Sequence, residues 1–88
     1  MDVKGEVLRY FSERAQAPLP GQTEVERLGC AYLDQGVVDS MGLVEMIADF
    51  EGRFDIRFSS EDVQGYEFQT PGGLIGLIEK RLAEKAKP

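Results

Sequence analysis

The chain has no histidine and no tryptophan, and its only cysteine is Cys30. Without histidine it lacks the commonest general base near neutral pH and the commonest metal ligand. A lone cysteine excludes an intrachain disulfide and a cysteine-cluster zinc site. That usage fits a reducing, cytoplasmic setting, with Cys30 read as a small apolar filler. Nothing approaches the roughly 20 apolar residues that span a bilayer, so no membrane insertion is expected. The opening MDVKGEVLRYF is charged throughout and has no apolar core of a signal peptide. Strand patterning is equally scarce. FDIRF, residues Phe54 to Phe58, alternates over five positions, but a single short strand has nothing to pair with. It reads as an extended connection that pins three apolar side chains into the core. At 88 residues the expectation is one domain, 1–88, burying roughly 60–65% of its unfolded surface. So thin a core leaves little room to enclose a substrate, and a self-contained enzyme is not expected.

The net charge of −6 is confined to one segment. Between Asp34 and Asp62 stand eight acids against two bases, Arg53 and Arg57, while the remaining eight acids and eight bases cancel. Such a segment repels phosphate backbones and anionic lipid, which argues against nucleic acid as a partner, and it attracts basic protein surfaces. A solvated face that aids solubility would look the same by charge alone. Asp34 to Glu45 has the length of a calcium loop, twelve residues ending in glutamate. However, Gly36 and Val38 fill its third and fifth positions, where oxygen ligands are needed, and its sixth is Asp39 rather than glycine. No metal site is expected.

Helical periodicity accounts for most of the rest. Val3, Val7, Leu8, Tyr10 and Phe11 recur at helical spacing, which predicts a first helix from Asp2 to about Ala17, stopped by Pro18, Pro20 and Gly21. A long connection runs to Val38, with apolar anchors at Val25, Leu28, Tyr32, Leu33 and Val37. Its length suggests either a local turn of helix or a functional loop. A second helix is predicted from Asp39 to about Gly52. Ser59, three residues before Asp62, resembles a capping box for a short third helix. Thr70-Pro71 supplies a cap and a first-turn proline for the last helix, whose stripe is Leu74, Ile75, Ile78 and Leu82. Gly72, Gly73 and Gly76 weaken its start by about 1 kcal/mol each relative to alanine. Lysines and an arginine gather near its end, as the helix dipole favours. The expected fold is all-α: a four-helix bundle of three longer helices and one short one, with a long loop between the first two.

On the second helix, Leu43, Ile47, Phe50 and Phe54 fall within about 60° of one another and define a core stripe. Met41, Val44 and Ala48 lie about 90–150° away, sharing their side with Glu45 and Asp49. An apolar strip fenced by carboxylates suits docking of a basic, partly apolar partner, although a wider core reached by the long loop could also cover Met41 and Val44. Asp39 and Ser40 can each cap a helix, yet only one residue occupies the N-cap. With Asp39 there, the Ser40 hydroxyl is spare at the positive end of the helix dipole, where a phosphate ester is favoured. Val38 is placed to staple onto Leu43, and Gly36 and Gly42 leave room for a bulky attachment.

The run VVDSMGLVEMIADFEGRFDI resembles the prosthetic-group segment of acyl carrier proteins. In that family an Asp-Ser-Leu or Asp-Ser-Met triplet opens the second helix and its serine carries 4′-phosphopantetheine; Asp39, Ser40 and Met41 stand in those places. Val44, Glu45, Glu51, Phe54, Asp55 and Ile56 also match common family residues, and the likeness in layout extends over most of the chain. The resemblance implies a monomeric carrier of acyl intermediates as thioesters, serving fatty-acid, polyketide or specialised lipid synthesis. A phosphopantetheinyl transferase would load Ser40 from coenzyme A, with Asp39 holding the helix start and helping the transferase dock. Met41, Val44, Glu45, Ala48, Asp49 and Glu51 would form the surface met by the transferase, an activating ligase, a ketosynthase or an acyltransferase. Two departures bear on subtype. Gly42 replaces an acid common in fatty-acid carriers, and Arg53 and Arg57 interrupt the acidic tract. DSMG and Phe68-Gln69-Thr70-Pro71 resemble D-alanyl carrier proteins and other stand-alone aminoacyl or specialised acyl carriers, which implies the alternative of an aminoacyl carrier, D-alanyl-type or peptidyl, loaded by an AMP-forming ligase. The Gly-Gly-Asx/His-Ser pattern usual in peptidyl carriers is absent, since Val37 and Val38 precede Asp39. A third reading keeps the carrier fold in a non-catalytic adaptor that acts by protein contact alone.

Overall fold

A computed structural model describes residues 2–86; residues 1, 87 and 88 of the expected 1–88 domain lie outside the described residues. Among them the chain is helical and contains no strand: α1 (Val3–Glu13), α2 (Glu24–Leu28), α3 (Ser40–Phe54), α4 (Ser60–Gln64), a 3₁₀ turn (Tyr66–Gln69) and α5 (Pro71–Ala86). The three longer helices are those expected. The long connection holds one short additional helix, α2, capped by Thr23, whose hydroxyl accepts from the Glu26 N–H. The Ser59–Asp62 capping box closes in both directions at the start of α4. The Thr70 hydroxyl accepts from Gly73 N–H at 3.0 Å and opens α5.

Helix ends differ from the expectation by a few residues. α1 stops at Glu13 rather than Ala17, because Gln16 leaves the helix to bond the loop: its N–H donates to Val37 O at 3.1 Å and its side-chain amide to Gly36 O at 2.9 Å. α3 runs through Phe54, beyond Gly52, and ends where Asp55 turns left-handed at φ 54°. Lys85 holds that turn, its Nζ donating to Asp55 O at 2.9 Å and Oδ2 at 2.6 Å. Past it, Ile56 is buried and Phe58 packs edge-on against Phe68, so FDIRF pins three side chains into the core, but not as one extended connection: Phe54 does so as the last residue of α3, and Asp55 turns the chain.

The core joins Val3, Val7, Tyr10 and Phe11 of α1 to Met46, Phe50 and Phe54 of α3 and Leu74, Leu77 and Ile78 of α5. The buried arc of α3 is rotated by about 30° from the expected stripe. Met46 is fully buried, whereas Leu43 and Ile47 are half-buried. The cause is α1, which lies on the Met46 side. Tyr10 meets Phe50 at 5.1 Å between ring centroids, and Arg53 reaches Glu6 of α1 at 2.9 Å.

Tyr32 ties the loop to the rest of the fold. Its fully buried ring packs on Phe11, its hydroxyl donates to Phe68 O, and its N–H donates to Gln69 O at 3.3 Å. Its own carbonyl accepts from the N–H groups of both Val37 and Val38. The two residues before Asp39 are thereby fixed to the 3₁₀ turn that leads into α5.

Candidate functional site

The site is the entrance to α3. Asp39 is extended, at φ −93° and ψ −178°, and its Oδ1 accepts from Gly42 N–H at 2.7 Å. A Cβ on residue 42 would meet Val38 Cγ1 at 3.1 Å and that carboxylate oxygen at 3.2 Å, so glycine here gives room to the cap itself. Val38, buried, and Leu43, half-buried, both join the core, as a staple across the cap requires. With Asp39 as the N-cap, Ser40 becomes the first residue of a 15-residue helix and is exposed. Among the described residues no hydrogen bond engages its hydroxyl, whereas the serine and threonine hydroxyls that open α2, α4 and α5 all accept cap bonds.

The docking surface expected from the sequence comes out divided. Met41 is 72% exposed and Val44 66%, so neither the long loop nor α2 covers them, and Glu45 and Ala48 are exposed beside them. Asp49 and Glu51 have other engagements. Asp49 is bound by Arg53 at 3.2 Å, and Arg53 also holds Glu6. Glu51 Oε2 accepts from Phe58 N–H at 2.9 Å and fixes the chain beyond α3. The acid that remains within the apolar strip is Glu45. Val25 and Leu33, expected as apolar anchors of the long connection, are instead exposed, as is Tyr66. An aromatic residue in a short helix carries the same pattern as a core residue, so no sequence signal marked Tyr66.

A cleft of about 250 Å³ opens beside Ser40, lined among others by Tyr10, Arg14 and Gln16 on one side and by Asp39, Met41 and Glu45 on the other. The Arg14 guanidinium lies 5.8 Å from the centre of the Tyr10 ring. Burial pushes the Tyr10 hydroxyl above its ordinary range; Arg14 counteracts this, while Asp49 and Glu45 add to it. Arg14 and Gln16 are not among the site residues expected from the sequence. The available signal was the i, i+4 pairing of Arg14 with Tyr10 in the last turn of α1. Cys30 is buried and its thiol is pushed up by burial, as an inert filler should be.

Residues 31–78 match the family described as the phosphopantetheine attachment site. The D-alanyl carrier proteins of Streptococcus gordonii and Streptococcus thermophilus are each 33% identical to this chain over 84 residues, which cover 94% of it and 100% of the relative. Among the described residues no helix is long and apolar enough to cross a membrane. A match over residues 31–78, together with 33% identity along almost the whole chain, places the chain in the phosphopantetheine-attachment family of carrier proteins, whose prosthetic group is a covalently bound 4′-phosphopantetheine.

Proposed function

We propose that Ser40 is the attachment residue and that the chain is an aminoacyl carrier, loaded by an AMP-forming ligase with a small amino acid of the D-alanyl kind. The carrying observation is the division of labour at the α3 entrance: Asp39 makes the cap bond, and the neighbouring hydroxyl is exposed with an open cleft beside it. These residues fit the prosthetic group, since attachment there removes no hydrogen bond from the fold. In the loading step the Ser40 oxygen bonds to the phosphorus that carries pantetheine. The pyrophosphate bond of coenzyme A breaks, adenosine 3′,5′-bisphosphate leaves, and the hydroxyl proton passes to the transferase. The bound group supplies a terminal thiol that holds cargo as a thioester, the nucleophile this histidine-free chain otherwise lacks.

Full-length similarity to D-alanyl carrier proteins, together with DSMG and Gly42, supports aminoacyl cargo over the fatty-acid or polyketide intermediates that the resemblance to acyl carriers first implied. In this reading the protein is a single monomeric domain in the cytoplasm and catalyses nothing itself. It presents Met41, Val44, Ala48 and Glu45 to the transferase and ligase, with Asp49 and Glu51 behind them.

Intact-mass measurement after incubation with coenzyme A and a transferase should show one added arm, absent in Ser40→Ala. The holo protein, given ATP and a D-alanyl-type ligase, should then gain one D-alanyl unit. Gain of a malonyl or fatty acyl unit, with none of the amino acid, would return the reading to acyl transport. A chain that takes no arm from several transferases, and whose Ser40→Ala variant keeps its cellular role, is an adaptor.

A further inference from the structure

We infer that the cleft between the end of α1 and the start of α3 is a seat for the first part of the prosthetic arm, with Arg14 holding its phosphodiester. This rests on the reading of Ser40 as the attachment point and adds residues that no part of that reading uses.

Asp39 and Met41, the immediate neighbours of Ser40, both line the cleft, and its opposite wall is Tyr10, Arg14, Ala15 and Gln16. An arm tethered at Ser40 therefore starts at the cleft's edge. The wall offers both kinds of group the arm needs, a cation for its phosphate and apolar side chains for its dimethyl portion. Arg14 is the one cation among the lining residues and takes part in no ion pair among the described residues. A phosphodiester placed at Ser40 adds negative charge beside Asp39 and Glu45, and Arg14 is the group positioned to offset it. Beyond the phosphate, the arm's dimethyl and amide portion would meet chiefly the exposed Met41 side chain, with the little that Tyr10 and Val38 leave uncovered at the cleft wall. A volume near 250 Å³ is below the usual range for a whole drug-sized ligand, and suits a portion of the arm rather than its cargo end.

The seat is also held in shape. Gln16 fixes the α1 end to Gly36 and Val37 through two hydrogen bonds, and Tyr32 fixes Val37 and Val38 from below. Arg14 contributes its backbone N–H to Tyr10 O as the α1 cap. A side-chain change there leaves that bond in place, so the fold of an Arg14 variant is expected to survive.

The test uses holo protein whose arm is loaded from isotope-labelled coenzyme A, with intact mass confirming attachment. The expected result is nuclear Overhauser contacts from the arm's dimethyl group to the Tyr10 ring and the Met41 methyl, and a phosphorus resonance that shifts between low and high salt. Arg14→Gln should lose the contacts, abolish the salt-dependent shift and raise the arm's mobility; Arg14→Lys should restore part of each. Attachment with no such contacts, or with arm spectra identical in wild type and Arg14→Gln, overturns this inference and leaves the Ser40 reading standing. A wild-type chain that accepts no arm overturns both.

Discussion

At Asp39 and Ser40 two residues with the same intrinsic preference take different tasks, and the difference is measurable. Removing a cap carboxylate costs about 1 kcal/mol, so Asp39→Ala should lower stability by about that amount in urea denaturation, with Asp39→Asn close to wild type. Ser40→Ala should stay within about 0.5 kcal/mol of wild type, as expected for an exposed position away from caps and core. If Ser40→Ala instead loses as much as Asp39→Ala, the serine is part of the cap, and the hydroxyl is not free for attachment. This assignment was legible in the sequence because a cap is local, set by the residue type at one position and the amide three residues on. Asp49 and Glu51 were legible only in part. Asp49 pairs with Arg53 at i, i+4, which helical spacing does offer, but that Arg53 also reaches Glu6 of α1 and that Glu51 takes the Phe58 amide depend on tertiary packing and on the chain reversing after α3.

The elements show the same division between local and packed. The sequence predicts α3 to within two residues of its ends, but packing against α1 turns its buried arc away from the expected stripe. Its outer strip is consequently less acidic than the sequence suggested, because Arg53 offsets Asp49. Glu45→Lys should slow transferase modification severalfold at low ionic strength, and the deficit should shrink as salt is added, since charges at a rim act mainly through encounter rate, which salt screens. Asp49→Asn should leave modification near wild type and instead loosen the α1–α3 bridge. A larger loss of modification from Asp49→Asn than from Glu45→Lys would return the docking role to Asp49. In α5 the glycines separate in the same way. A Cβ at residue 76 meets nothing within 4 Å, so Gly76→Ala should raise stability by about 0.5–1 kcal/mol. A Cβ at residue 73 would collide with the backbone of Glu67 in the 3₁₀ turn, so Gly73→Ala should destabilise the chain. Thermal melts of the two variants shifting in the same direction would refute this account of the close approach. The sequence marked all three glycines as equal costs, because which of them admits a neighbouring backbone is a property of packing.

Over the whole molecule, the acidic segment 34–62 is held to the last helix by two clasps of unequal worth. Lys85–Asp55 is largely exposed, with 89% of the Asp55 side chain in solvent, and such pairs contribute little. Arg81–Asp62 is mostly covered, at 25% and 11% side-chain exposure, and Asp62 also accepts from Ser59 N–H to cap α4. The Arg81 hydrogen bond, against some opposing desolvation, holds the Asp62 carboxyl below its ordinary range, and the Ser59 cap bonds add to this. A carboxyl whose folded pKa lies below its unfolded value binds fewer protons in the folded state. Its stabilisation is therefore fully present above the unfolded pKa of about 4 and is lost as the pH falls through the lower, folded value. Stability measured by urea denaturation should accordingly hold near neutral pH and decline below about pH 4. Arg81→Gln should be less stable at pH 7 and decline less steeply over that acid range, since Asp62 then titrates closer to its unfolded value. Amide exchange in α4 should rise with the acid loss in wild type and already be raised at pH 7 in the variant, because α4 owes its cap to the same carboxylate. An acid limb of equal slope in both proteins would mean that the clasp contributes nothing to folding, and that α4 is held by Phe58, Val63 and Phe68 packing alone.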